Sequence, residues 1–85
     1  MDKRLGFVGI VLEDRKKTAS VVNAVLSEFG DVIISRTGLP YKKRDLGIIT
    51  LIVEATTDEV GALTGKLGNI KGVVVKSALS KEKQI

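Results

Sequence analysis

Moved forward by 41 residues without a gap, the first half of this chain falls on the second. Gly6 lands on Gly47, Glu13 on Glu54, Val22 on Leu63, Leu26 on Leu67, Phe29 on Ile70, and Val32-Ile33-Ile34 on Val73-Val74-Val75. A repeat of this kind limits the fold more than any single motif does, because both halves must build the same supersecondary unit and then share one core.

The unit is read from its periodicity. "RLGFVGIVLE", Arg4 to Glu13, is β-branched and aromatic with glycine interruptions, and predicts a buried strand. From about Lys16 to Phe29, the residues Ala19, Val22, Val25, Leu26 and Phe29 recur at helical spacing, and Gly30 suits the position just past a helix end. A second strand is expected from Asp31 to about Arg36, and a third over "LGIITLIVEA", Leu46 to Ala55. Thr56 and Glu59 have capping-box spacing ahead of a second helix with the core stripe Val60, Leu63, Leu67 and Ile70. "GVVVKSAL", Gly72 to Leu79, predicts the fourth strand. The order is βαββαβ. Right-handed crossovers in both halves give an α+β, ferredoxin-like sandwich: a four-stranded antiparallel sheet with two helices on one face. Residues 1–80 are expected to form this single domain and residues 81–85 a short polar tail.

Such a fold leaves one sheet face without helices, and that face should be polar in a monomer. Here it is not. Leu5, Phe7 and Val11 of the first strand oppose Val8, Ile10 and Leu12; in the third, Leu46, Ile48 and Ile52 oppose Ile49, Leu51 and Val53. Both faces are apolar, and with 85 residues the chain is near the lower end of what a single core holds together. The expectation is a homo-oligomer, dimer or tetramer, closed through the helix-free sheet face. The terminal segment "SKEKQI" is too short and polar to cover it.

Composition removes most catalytic chemistry. The chain has no cysteine and no histidine, which excludes a thiolate metal site and a cysteine nucleophile and removes the commonest general base near neutral pH. No metal, no cofactor and no enzymatic activity are expected. Among the functions this fold hosts, RNA recognition needs a stacking platform, yet the aromatics are only Phe7, Phe29 and Tyr41, with Phe29 on a helical core stripe. Heavy-metal carriage needs paired cysteines. Acylphosphatase chemistry needs a phosphate-cradling loop and an asparagine on the third strand; Arg15 stands after the first strand, but neither companion is present. PII-type signalling uses a longer loop between the middle strands. The formal net charge of +4 permits contact with nucleic acid without pointing to it. No apolar run approaches the roughly 20 residues that span a bilayer, and no signal-peptide core follows Met1, so a cytoplasmic protein is expected.

What remains is regulation by binding. "GLPYKKRD", Gly38 to Asp45, holds the only proline and the only tyrosine. Pro40 should end the second strand by about Leu39, leaving Tyr41, Lys42, Lys43 and Arg44 on a hairpin tip. On the second helix Gly61, Gly65 and Gly68 lie along one stripe, at about 1 kcal/mol each relative to alanine, which points to close approach of another backbone or a ligand. The candidate ligand site joins Gly38, Leu39, Pro40, Tyr41 and Arg44 with Gly61 and Gly65. A weaker anion site is the helix start carrying Arg15, Lys16 and Lys17.

From Ser35 to Leu79, "SRTGLPYKKRDLGIITLIVEATTDEVGALTGKLGNIKGVVVKSAL", and in "VLEDRKKTASVVNAVLSEFG" before it, the sequence resembles the iron-only hydrogenase system regulators. "GLPY" and "DEVGALTGKLG" carry most of that specificity. The resemblance implies an ACT-like fold, related to ACT domains and to the C-terminal domain of nickel-responsive repressors. It implies a regulatory role, possible at the level of transcription, near hydrogenase maturation genes. The histidines and cysteine of the repressors' nickel site are absent, and the chain opens directly on the first strand without a ribbon-helix-helix segment, so direct DNA binding is not expected. A homo-oligomeric effector-binding module is therefore the leading functional reading. The alternative is a structural adaptor that binds a protein partner and no small molecule.

Overall fold

A computed structural model describes residues 2–81. Strand β1 (Arg4–Glu13) leads into helix α1 (Arg15–Glu28), a 3-10 turn at Gly30–Val32 and strand β2 (Ile33–Tyr41). A second 3-10 turn (Lys42–Arg44), strand β3 (Leu46–Ala55), helix α2 (Thr57–Gly68) and strand β4 (Val73–Leu79) complete the βαββαβ order. The four strands form one antiparallel sheet in the order β2-β3-β1-β4.

The core follows the alternation along the two central strands. Val8, Ile10 and Leu12 of β1 are buried beside Leu51, Val53 and Ala55 of β3, under Val22 and Leu26 of α1 and Val60, Leu63 and Leu67 of α2. Fully burying a Val, Leu or Ile contributes roughly 1.5–3 kcal/mol, so this layer is the main source of stability. Helix α2 packs chiefly on β4, and α1 lies against α2 and β1. The helical layer consequently stops short of β2, which is exposed from Ile34 through Tyr41.

The two helices begin differently. The Thr56 hydroxyl accepts from the Glu59 N–H at 3.1 Å, and the Thr56 N–H donates to Glu59 Oε1 at 2.8 Å, forming the expected capping box. Helix α1 starts one residue earlier than the spacing predicted, after Asp14 in the left-handed region (φ 53°) with no side-chain cap. The Asp14 carbonyl takes up the N–H groups of Lys17 and Thr18 at 3.0 and 3.2 Å, and the Thr18 hydroxyl donates back to it.

Two boundaries depart from expectation. Strand β2 begins at Ile33 rather than Asp31, because the chain tightens after α1 into a 3-10 turn that buries Val32. Gly30 does lie just past the end of α1, after the C-cap Phe29, though the glycine with left-handed φ is Gly72 (85°). Most informative, β2 does not end by Leu39. It runs through Pro40, paired with Gly47, to Tyr41, paired with Leu46. Proline is tolerated there because β2 is an edge strand, on which alternate N–H groups face away from the ladder. The expected hairpin tip shrinks to Lys42–Arg44, closed by Asp45 at φ 55°. Of the expected tail, 82–85 lies outside the described residues.

Candidate functional site

Two surfaces stand out, one on each side of the β2–β3 edge. On the helix-free face, the register stacks side chains in rows across the strands. Ser35, Ile52, Phe7 and Ala78 form one row; Thr37, Thr50, Gly9 and Lys76 the next; Leu39, Ile48, Val11 and Val74 a third. Two rows rich in apolar groups thus flank a small and polar one. Phe7 is 60% exposed, Leu39 54%, Val74 51% and Ile52 47%, far above what isolated surface apolar residues require. Tyr41 joins this face beside Leu46.

On the helix side, the edge is hollow. Of the inward positions of β2 and β3 at this end, Gly38 and Gly47 carry no side chain and Pro40 only a compact ring, which leaves Ile49 as the bulky one. A groove of about 290 Å³ results, floored by these residues and walled by Arg15 and Ala19 of α1. A Cβ at Gly38 would meet nothing within 4 Å, whereas one at Gly47 would lie 2.9 Å from Arg15 Cγ. The aliphatic stem of Arg15 therefore rests on Gly47. Arg15 and Ala19 also line an adjoining polar cleft of about 540 Å³, with Lys16, Ser20, Asn23 and Asp45. Arg36 on β2 donates to Asn23 Oδ1 at 2.6 Å, which fixes the amide so that its NH₂ remains to donate.

This geometry regroups the residues singled out from sequence. Arg15 and Lys16, read as a separate anion site, lie beside Gly38, Leu39 and Pro40 in one continuous surface. Lys17 is turned away, 3.9 Å from Asp14 and largely exposed. Tyr41 belongs to the opposite sheet face, and Arg44 sits in the 3-10 turn and lines neither cavity. Gly61 and Gly65 do not join the site within one chain, since α2 packs on β4, at the sheet edge opposite β2. A Cβ at either would meet nothing within 4 Å, while Gly68 faces Val75. Ala19, Asn23, Asp45 and Gly47 were missed. The β2–β3 register, which sets Gly47 against Pro40, marks Gly47, and the packing of α1 over that edge brings in Ala19, Asn23 and Asp45.

The Glu59 carboxyl is held below the usual glutamate range, first by the Thr56 N–H and then by Lys3 at 4.0 Å. Its role is that of a helix cap, remote from both surfaces. No helix among the described residues is long and apolar enough to cross a membrane.

Comparison with known families places this architecture. Residues 4–77 match the TM1266-like family, described as "Iron-only hydrogenase system regulator, putative". The chain belongs to this family. The structure of the uncharacterized protein TM1266 from Thermotoga maritima is similar at 41% identity and TM-score 0.90, covering 94% of this chain and all of that one. The ACT domain of the GTP pyrophosphokinase of Chlorobium tepidum is similar at 25% identity and TM-score 0.74, over 89% of this chain and 99% of that one. The C-terminal domain of MgtC from Mycobacterium tuberculosis shares the fold, with TM-score 0.73 at 15% identity over 98% and 94% of the two chains. No curated protein matches the sequence. The ferredoxin-like, ACT-like fold stands, and the family is one of regulators.

Proposed function

We propose that this chain is a non-catalytic regulatory module that works as a homo-oligomer closed through its helix-free sheet face. The observation that carries this reading is the pair of apolar rows led by Phe7 with Ile52 and by Leu39, Ile48, Val11 and Val74. Burying what a side chain such as Phe7 leaves exposed contributes roughly 1–2 kcal/mol, and several such groups on one face favour association strongly. Membership of a regulator family and the likeness to an ACT domain support the regulatory half of the reading.

The groove beneath α1 supplies the effector site. Leu39 and Ile48 line it and also belong to the third row of the helix-free face. An effector there bears on the strands that form the interface, and it shifts the population of assembled states by its differential affinity for them. Binding of an effector to the folded state would also raise stability by mass action.

The test is native mass, by native mass spectrometry with light scattering over a dilution series. A dimer or tetramer that Phe7→Lys converts to a folded monomer is the expected result. A wild-type chain that stays monomeric at every concentration would sink the homo-oligomer and favour the adaptor reading, in which the same face receives another protein.

A further inference from the structure

We infer that the groove and cleft together bind a small monocarboxylate with an aliphatic body, a step that rests on reading the groove as the effector site. The aliphatic body is set by the floor. Gly38, Pro40, Gly47 and Ile49 offer an apolar trough, open above Gly38, with the methylene stem of Arg15 along one side. Its volume of about 290 Å³ lies at the lower limit of small-molecule sites, which run roughly from 300 to 1,000 Å³, so the ligand is small.

The head group is set by the cleft that shares Arg15 and Ala19 with the trough. Beside Arg36, which is held on Asn23, the cleft has two positive charges, Arg15 and Lys16, and one negative, Asp45. Among the described residues, none of these three has an ion-pair partner. Asn23, with its carbonyl oxygen engaged by Arg36, presents its NH₂ as a further donor. A guanidinium matches a carboxylate through two parallel hydrogen bonds. Phosphate fits less well, because it has no aliphatic body to fill the apolar trough and the Lys17 N–H at the helix start is already bonded to the Asp14 carbonyl.

The experiment is an amide ¹H–¹⁵N titration of the intact chain with 4-methylpentanoate, alongside leucine, 3-methylbutylamine and inorganic phosphate. The expected result is saturable shifts at Arg15, Gly38 and Gly47 with 4-methylpentanoate. Arg15→Gln should weaken that binding about tenfold or more, as expected for one charge-assisted hydrogen bond. Gly38→Val should abolish it by filling the trough, and the open space around Gly38 lets this variant fold. Lys71→Ala, in the exposed turn before β4 and outside the site, should bind as the parent does. Tighter binding of leucine, of the amine or of phosphate at the same residues overturns the assignment, as does the absence of saturable shifts. If the carboxylate fails while the chain is still an oligomer, the ligand class is wrong and the assembly reading survives. If it binds to a chain that remains a monomer, the ligand class stands and the assembly reading falls.

Discussion

At the start of α2, Thr56 and Glu59 cap each other's backbone, and Asp58 and Glu59 lie at the positive end of the helix dipole. At the equivalent point of the first half, Asp14 holds a left-handed conformation, no side chain caps the helix, and the first turn reads Arg15-Lys16-Lys17. Cations at a helix N-terminus oppose its dipole, by about 0.3–1 kcal/mol each when exposed. One half has thus optimised its helix start for stability, and its duplicate carries residues that weaken the helix and face a groove. The trailing strands diverge in the same sense. Strand β4 tucks Val73, Val75 and Leu79 against the core, whereas β2 stands outside the helical layer with Gly38 and Pro40 on its inner side. Duplication supplied two equal frames, and the open groove lies where β2 of the first half meets β3 of the second.

The largest effect should come where the halves are still alike. Leu26 and Leu67 occupy equivalent buried positions, so Leu26→Ala and Leu67→Ala should each cost about 2–5 kcal/mol in denaturant unfolding. A much smaller loss for Leu26 would show that the first half packs loosely and would break the equivalence. Ile10→Lys, fully buried and paired with Ile49, should abolish folding outright, as read by circular dichroism.

Next comes the helix-free face, where Phe7 and Ile48 are also equivalent by the repeat. Lysine at either position should leave a folded chain of lower native mass. An effect of Phe7→Lys alone would confine the interface to the row that holds Ile52 and Ala78.

The helix starts allow a finer contrast. Thr56→Ala should lower stability by about 1 kcal/mol, or roughly 4–8 °C in Tm for a domain of this size. That difference depends on pH with a definite sign. The folded-state pKa of Glu59 lies below its ordinary value of 4.5, so its contribution is present above that value and disappears as pH falls through the lowered one. Melting curves of Glu59→Gln and the parent should therefore converge on acidification below the ordinary glutamate range. Divergence there would argue against the cap as the cause.

The smallest effect should be the most diagnostic. Lys16→Glu removes a cation from the first turn of α1 and should raise stability by about 0.3–1 kcal/mol while weakening carboxylate binding. Stability and binding falling together would mean that Lys16 supports the fold and not the site.

The order of elements, the two-fold repeat, the Thr56–Glu59 cap and the apolar character of both sheet faces were all legible in the sequence. Each rests on a local period or a spacing of a few residues, which the backbone geometry of helix and strand enforces wherever the chain lies. Tertiary structure decided the rest. Only the strand order makes β2 an edge, and so lets Pro40 sit inside a strand that local rules end at Leu39. Only the β2–β3 register brings Gly38 and Pro40 beside Gly47 and Arg15. The packing of α2 on β4, at the sheet edge opposite β2, keeps Gly61 and Gly65 out of the groove. These are contacts between residues far apart in the chain, chosen by how whole faces bury one another, and no local pattern records that choice.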